Sequence, residues 1–501
     1  MSPVPVAAFR VAVVGGGISG LTAAYRLRAS LGPGADIVLI DGSRRLGGAL
    51  RTVELAGVAL DLGAEAFLMR RPEAAGLVGE LGLGARLTHP TAAAPTVRAA
   101  GRTVRLPTRT MLGLPAAAGD VAGVLSPQGM ARLVAEPTMP LHWEPGRDAA
   151  VGALLRQRAG DELVDRLVDP LLGGVYAGRA DALGLRATMP AVATALDRGV
   201  GSLLAAADAA LPPSRPDQGQ SRPAPVFGTL RGGLGALVDV LVAAAGVRVR
   251  LGFLVRGLAR IPGGWHLELG SSTRATARAE GLDVDAVLLA VPAPAVRRLL
   301  AAPVPAASAA AGRIEVASSA VVGLALPPAA GQALPQASGV LVASFEPQEK
   351  ALSVKAFTFS GRKWAHARSA EALVIRASLG RYGDARVLQR DDDELVGMVR
   401  ADLAALTGVT AAPVATAVAR WGGGLPQYAP GHLDVVADLE RAVAGAAGLA
   451  VAGAALHGVG LPACVATAGA AAQRITRYLG ATHDLASRRE PAVASGETMG
   501  S

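Results

Sequence analysis

The run Gly15-Gly16-Gly17-Ile18-Ser19-Gly20 leaves this chain few ways to begin folding. Apolar Val11 to Val14 precede it and read as a buried strand, Leu21 to Ala29 follow as a helix, and Asp36 to Ile40 read as a second strand, a βαβ opening. In a G-x-G-x-x-G so placed, the first glycine permits a tight turn and the second lets a pyrophosphate approach the backbone. The third lets helix and strand pack closely. The helix N-terminus then presents N–H groups and a positive dipole end to the phosphates. Asp41, 21 positions after Gly20, ends the second strand, where a carboxylate accepts hydrogen bonds from a ribose. An ordinary glycine turn, the alternative, leaves this register of strand, helix and acid unexplained. Arg44 and Arg45 suit the 2′-phosphate of NADP, but the charge of Asp41 argues against it.

The rest of the chain narrows the class. With 501 residues, 51% of them hydrophobic, a large buried core is available and disorder is excluded. A single cysteine, Cys464, rules out a disulfide framework and a cysteine-based zinc site, and the seven histidines show no metal spacing, so no metal is expected. The net charge of +9 suits an acidic ligand or an anionic membrane surface, and no nucleic-acid motif accompanies it. Residues 442–473 carry no Asp, Glu, Lys or Arg, but Gly445, Gly448, Gly453, Gly458, Gly460 and Pro462 interrupt them. This predicts a short buried strand, a loop and a helix rather than a membrane span. Glycines 15 to 17 likewise break the apolar stretch after Arg10 too early for a signal peptide, so the protein is expected to be soluble and cytoplasmic.

Residues 77–211 read as mostly helical, with Asp161 to Leu171 the clearest amphipathic piece, and Leu211 to Val226 as a Pro-, Ser- and Gln-rich surface loop. Strands are expected again at Val247 to Leu251, Ala286 to Ala290, Ser318 to Leu326 and Ala351 to Phe359, and a frayed tail from Ala481. Asp391-Asp392-Asp393-Glu394 reads as a solvated helix start.

Arg45-Leu46-Gly47-Gly48, a second glycine turn soon after the acid, resembles the signature of the FAD-binding amine-oxidase-type flavoproteins; a simple hairpin turn is the alternative. Further stretches resemble one branch of them, the porphyrinogen oxidases of haem synthesis. Asp61-Leu62-Gly63-Ala64-Glu65-Ala66-Phe67 is similar to the segment beside the flavin ring, with Ala64 where that family usually has Pro. Residues 169–178 (DPLLGGVYAG) match a motif that general amine oxidases lack, followed by Ala182-Leu183 and Ala187-Thr188-Met189-Pro190. Residues 357–366 resemble the Thr-x-Ser…Lys-Trp-x-His segment of the Gram-positive branch, and Trp421, residues 425–428 (LPQY) and Gly431-His432 match the late W…LPQY..GH segment. Gly453, residues 458–462 and Cys464 resemble the stretch that closes over the flavin. The likeness covers residues 11–478.

The resemblance implies an α/β fold: a discontinuous Rossmann-like FAD-binding domain (residues 1–76, 227–300 and 441–480), a mixed-sheet substrate domain with a helical lobe (77–226 and 301–440), and a flexible tail (481–501). It assigns FAD contacts to Gly15, Gly16, Gly17, Ile18, Ser19, Gly20, Asp41, Gly42, Arg45, Gly47, Gly48 and Ala49. Others fall to Gly63, Ala64, Glu65, Ala66, Val255, Trp421, Gly453, Val459, Gly460 and Leu461. Substrate contacts are expected from Arg71, Gly174, Lys355 and Lys363, the last two belonging with Lys350 to the only lysine cluster; a solvated strand is the alternative for both. A plain turn glycine is the alternative at Gly174, and Cys464 reads as a buried packing residue at a helix start.

The implied chemistry removes six hydrogens from a porphyrinogen in three two-electron rounds through FAD to molecular oxygen, with release of hydrogen peroxide and no catalytic triad. Val104 stands where plant-type enzymes carry a substrate-binding Arg, which favours coproporphyrinogen III, a tetracarboxylate, over protoporphyrinogen IX, a dicarboxylate. Ala454 and Ala463 replace residues that are commonly polar in the family. An amine oxidase or desaturase, and a non-enzymatic flavin-binding protein, are further readings; five Tyr and seven Phe are few for an aromatic amine cage. A helical lobe could dock on a membrane or on the next haem-pathway enzyme.

Overall fold

A computed structural model describes residues 9–212, 225–272, 280–343 and 352–489, the last six of these without side chains. Lys350 and most of the expected surface loop at 211–226 lie outside these residues.

A five-stranded parallel sheet forms where the chain alternates buried aliphatic runs with helices. Its spatial order is Arg248–Leu251, Asp36–Asp41, Arg10–Val14, Ala286–Leu289, Leu449–Val451. Three distant stretches of chain therefore build one sheet. Val11, Val13, Ile37 and Leu39 face the helices Ile18–Leu31, Ala236–Ala245 and Leu461–Arg489, while Ala12, Val14, Val38 and Ile40 face the opposite layer. Both faces are covered, which is why these strands are continuously apolar rather than alternating.

A second, seven-stranded mixed sheet runs in the order Ala415–Pro426, Val316–Leu326, Leu373–Leu379, Val354–Phe359, Gly339–Val342, Pro95–Ala99, Arg102–Arg105. Its only parallel pair among the described residues joins Gly339–Val342 to Pro95–Ala99. One face packs on the helix Asp392–Thr407 through Val354, Phe357, Phe359, Ile375, Ala377 and Leu379. A helical lobe, residues 118–210, packs around its own apolar core.

Residues 77–211 are less helical than expected. The hairpin of Pro95–Ala99 and Arg102–Arg105 supplies two strands of the second sheet, turning through Ala100 (φ 50°) and Gly101 (φ 72°). Two consecutive left-handed residues make the tight turn that matches strand twist, and an alanine gives little warning of it. The piece Asp161–Leu171 is helical but includes a π-helical turn over Val164–Val168, and Leu163, Val164, Leu167 and Val168 are fully buried. A three-stranded meander, Phe253–Ile261, Gly264–Ser271 and Glu280–Val284, was not expected. The final helix continues to Arg489, where fraying was expected from Ala481, and residues 490–501 lie outside the described ones. The strand Leu449–Val451, the loop after it and the helix from Leu461 match the reading of the uncharged run. Among the described residues no helix is long and apolar enough to cross a membrane.

Candidate functional site

The glycine loop binds the first sheet together before any ligand arrives. The Gly15 N–H donates to Ile40 O (2.8 Å), and Gly15 takes φ 106° with a hypothetical Cβ only 2.3 Å from Ala290 O. A Cβ on Gly20 would stand 1.8 Å from Gly15 O, so helix and strand meet at a distance only glycine allows. Asp41 is half-buried; its Oδ2 accepts from Gly16 N–H (2.6 Å) and its Oδ1 from Ser43 N–H (2.6 Å). A carboxylate offers about four lone-pair sites, so capacity for ribose hydroxyls remains. The helix Ile18–Leu31 begins at Gly17 with no side-chain cap and no acidic residue in its first turn. Uncapped N–H groups above a glycine cradle fit the pyrophosphate of a dinucleotide. Ser19 is buried beneath this turn, near Gly453 and Cys464.

The second glycine turn is held against the first. Gly47 N–H donates to Gly16 O (2.8 Å), and a Cβ on Gly48 would lie 3.0 Å from Gly17 Cα. Arg45 Nη2 donates to Gly48 O (2.8 Å), and its guanidinium lies 5.5 Å from the Trp421 ring centre. Trp421 Nε1 donates to Leu62 O (2.9 Å), Ala64 N–H to Ala49 O (2.9 Å) and Arg376 Nη2 to Gly63 O (2.7 Å). Gly48 and Ala49 are exposed and Gly63 to Ala66 partly so, an open strap of backbone where the resemblance puts the ring of FAD. Val255 lies apart from the strap, buried in the meander, its carbonyl accepting from Arg298 (3.0 Å); the neighbouring Leu254 packs on Gly42.

Glu65 anchors the strap from below. It accepts from Lys363 Nζ (2.7 Å) and Trp364 Nε1 (2.7 Å), with Arg376 Nη1 at 3.5 Å. Burial alone would raise its pKa, but the Lys363 and Arg376 charges and these hydrogen bonds outweigh it and lower the value to about 2. Asp61 behaves oppositely: burial pushes it up to about 6 against hydrogen bonds from Thr52 and Leu234 N–H. Beside them lies a cavity of about 10 Å³, lined partly by Ser360 and His366, whose Oγ and Nδ1 have no partner among the described residues.

The late motif joins three parts of the molecule. Gln427 Nε2 donates to Tyr176 O (2.9 Å), Gly184 N–H to Tyr428 O (2.6 Å), and the Tyr428 ring stacks on His432 at 3.9 Å. The Tyr428 hydroxyl donates to Ala454 O, and His432 Nε2 bonds Leu456 O (3.0 Å). So residues 425–432 tie the lobe helix Asp169–Tyr176 to the loop that enters the closing helix Leu461–Arg489. Val459 packs on the lobe core, while Gly460 is exposed at that helix's start. Cys464 is buried and its thiol is pushed up to about 11 by burial, consistent with a packing role. Arg71 stands about 3.7 Å from the Cβ position of Gly458 and pairs with Glu73 (3.1 Å).

The sequence pattern of the flavin-containing amine oxidoreductases matches residues 18–476. The chain belongs to that family. A coproporphyrinogen III oxidase of Mycobacterium tuberculosis (strain H37Rv) is 45% identical over 469 residues, 94% of this chain and 98% of that protein. One from Bacillus subtilis is 29% identical over 477 residues, covering 94% and 98%. A crystal structure from Exiguobacterium, of a protein provisionally named a protoporphyrinogen oxidase, superimposes with a TM-score of 0.80 at 27% identity, covering 94% of this chain and 99% of that one. FAD is thus the cofactor of this flavin-containing amine oxidoreductase.

The four residues expected at the substrate fall in different places of this flavin-containing amine oxidoreductase. Arg71 lies at the closing loop. Lys363 is engaged with Glu65 under the strap. Lys355 is 5% exposed, and Gly174 is exposed on the lobe helix, its Cβ position 3.6 Å from Leu341. Neither lysine lies on a solvated strand. Arg376 and Arg381 escaped the sequence reading; Arg376 is signalled by a cation inside the apolar strand LVIRASL, and Arg381, beyond that strand, by nothing local.

Proposed function

We infer that this protein oxidises coproporphyrinogen III to coproporphyrin III, passing six electrons and six protons to three molecules of oxygen to give three of hydrogen peroxide. The observation that carries this reading is the 45% identity, along nearly the whole of both chains, to a relative of that name. When bound, FAD supplies the two-electron acceptor for each round. The chain's own residues position and insulate. The glycine loop and the uncapped start of Ile18–Leu31 hold the diphosphate, and Asp41 orients the ribose. Glu65, Arg376 and Trp421 keep the strap in place beside the ring, and the N-terminal end of Leu461–Arg489 stabilises negative charge there. Cations receive the carboxylates of the substrate, Arg71 at the closing loop and Lys355 on the second sheet, while exposed Gly174 lets a pyrrole approach the backbone.

Cytoplasmic residence, a role in haem synthesis and transient contact with a membrane or the next enzyme belong to the same proposal. The test compares initial rates of porphyrin fluorescence from coproporphyrinogen III and protoporphyrinogen IX with the FAD-loaded protein. A kcat/KM at least tenfold higher for the tetracarboxylate supports the reading; equal rates, or the reverse preference, transfer it to protoporphyrinogen IX.

A further inference from the structure

One face of the second sheet packs on the helix Asp392–Thr407; the other packs on Leu60 and Leu62 through Val321, Val374 and Ala419 and turns polar toward the strand Val354–Phe359. Ala356, Thr358, Arg376 and Ser378 share the polar face, because Ala356 pairs with Ser378 and Thr358 with Arg376. Arg376 reaches the strap from this face, and Leu341, cross-strand from Ala356, packs toward the lobe near Gly174. This face looks toward the strap and the lobe, the side on which the proposed function needs its substrate cleft. Strict alternation from buried Phe357 would send Lys355 into the apolar core over Asp392–Thr407. The register instead shifts between Val354 and Ala356, so Lys355 and Ala356 together oppose Ser378 and Val354 takes the core position. A bulge of this kind re-aims one side chain, here a lysine, toward the cleft face.

Lys355 arrives there with no anionic partner among the described residues, although it is only 5% exposed. Next to it is Arg381, whose Nη2 donates to Val342 O (3.1 Å) and whose Nη1 is buried without a partner among the described residues. Arg179 and Asp169 stand near Arg381, so among the described residues three cations share one nearby carboxylate, which also accepts from Ala180 N–H (2.7 Å). Uncompensated buried positive charge is costly and persists where a ligand supplies the counter-charge. Arg376 lies within the strand Leu373–Leu379 and Arg381 just beyond its end, after the left-handed Gly380 (φ 83°), so the two cations stand at different points along this side of the sheet.

We propose that Lys355 and Arg381 form a carboxylate subsite at the end of the cleft remote from the strap, receiving one acidic side chain of a polycarboxylated ring. This rests on the proposed function and deepens it, since Arg381 joins Lys355 as a determinant of substrate charge. The test titrates the FAD-loaded protein with coproporphyrin III and with its tetramethyl ester, following porphyrin fluorescence, in the native chain, Lys355→Met and Arg381→Gln. Each variant is expected to bind the tetra-acid at least tenfold more weakly and the ester unchanged, with KM raised and kcat retained in turnover. Lys355→Met is also expected to melt no lower than the native chain, because it removes a buried unpaired cation. Unchanged tetra-acid binding in Lys355→Met, or equal losses for acid and ester, overturns the subsite while leaving the proposed function standing. A native chain that neither binds nor oxidises the tetracarboxylate overturns both.

Discussion

Asp61 and Glu65 lie four residues apart on one strap and are shifted in opposite directions, which makes their contributions separable by pH. Glu65, lowered to about 2, stabilises the fold fully above the ordinary glutamate range, and that stability is lost as pH falls from about 4.5 toward 2. Asp61, raised to about 6, favours the fold most below its ordinary value of 3.8, and that contribution is lost as pH rises through about 6. Unfolding measured against pH should therefore lose part of its low-pH slope in Glu65→Gln and part of its slope between pH 4 and 6 in Asp61→Asn, the latter on the order of 3 kcal/mol. Glu65→Gln should also release flavin more readily, since Lys363 and Arg376 then lack their carboxylate. Lys355, lowered to about 7 by burial and Arg381, is cationic only below that value. Its described charged neighbours are Arg381, with Asp169 and Arg179 beyond it, and Asp402 on the opposite face, bonded to the N–H groups of Ser353 and Val354. Binding of the tetra-acid by the native chain should accordingly weaken as pH rises from 6 to 8, and less so in Lys355→Met.

Among the elements, those governed by local chemistry were readable in the sequence and those governed by pairing were not. Gly15 and Gly20 announce their turn because no other residue fits the φ or the contact, so Gly15→Ala should purify without the absorbance near 450 nm that marks bound flavin. The acidic run at 391–394 likewise becomes a capping box, Asp391 accepting from Glu394 N–H (2.8 Å) and Glu394 from Asp391 N–H (3.2 Å). Asp391→Ala should cost about 1 kcal/mol in chemical denaturation. By contrast, Lys355 and Lys363 look alike in sequence, yet one is tucked into a bulge and the other closes on Glu65. Nothing local distinguishes them, because each outcome depends on which strand lies alongside. The hairpin at 95–105 and the meander at 253–284 were hidden for the same reason: their turns and alternation are weak until neighbours make them a sheet.

At the scale of the molecule, the three lobes meet where the late motif crosses between them. Tyr428 contacts Tyr176 of the lobe at 5.5 Å between ring centres and holds Ala454 O of the closing loop. Tyr428→Phe leaves that carbonyl unpartnered and should cost about 1–2 kcal/mol, with a larger relative loss of substrate affinity than of flavin content. The construction of the parallel sheet has a further consequence, one that concerns synthesis. Its glycine loop leaves the ribosome well before the strand Leu449–Val451 and the closing helix. Until they emerge, Ala286–Leu289, fully buried in the finished protein, is a bare apolar edge. At about 5–20 residues per second, that edge waits many seconds after it is made, so the two outermost strands of the sheet on this side join at separate moments of translation.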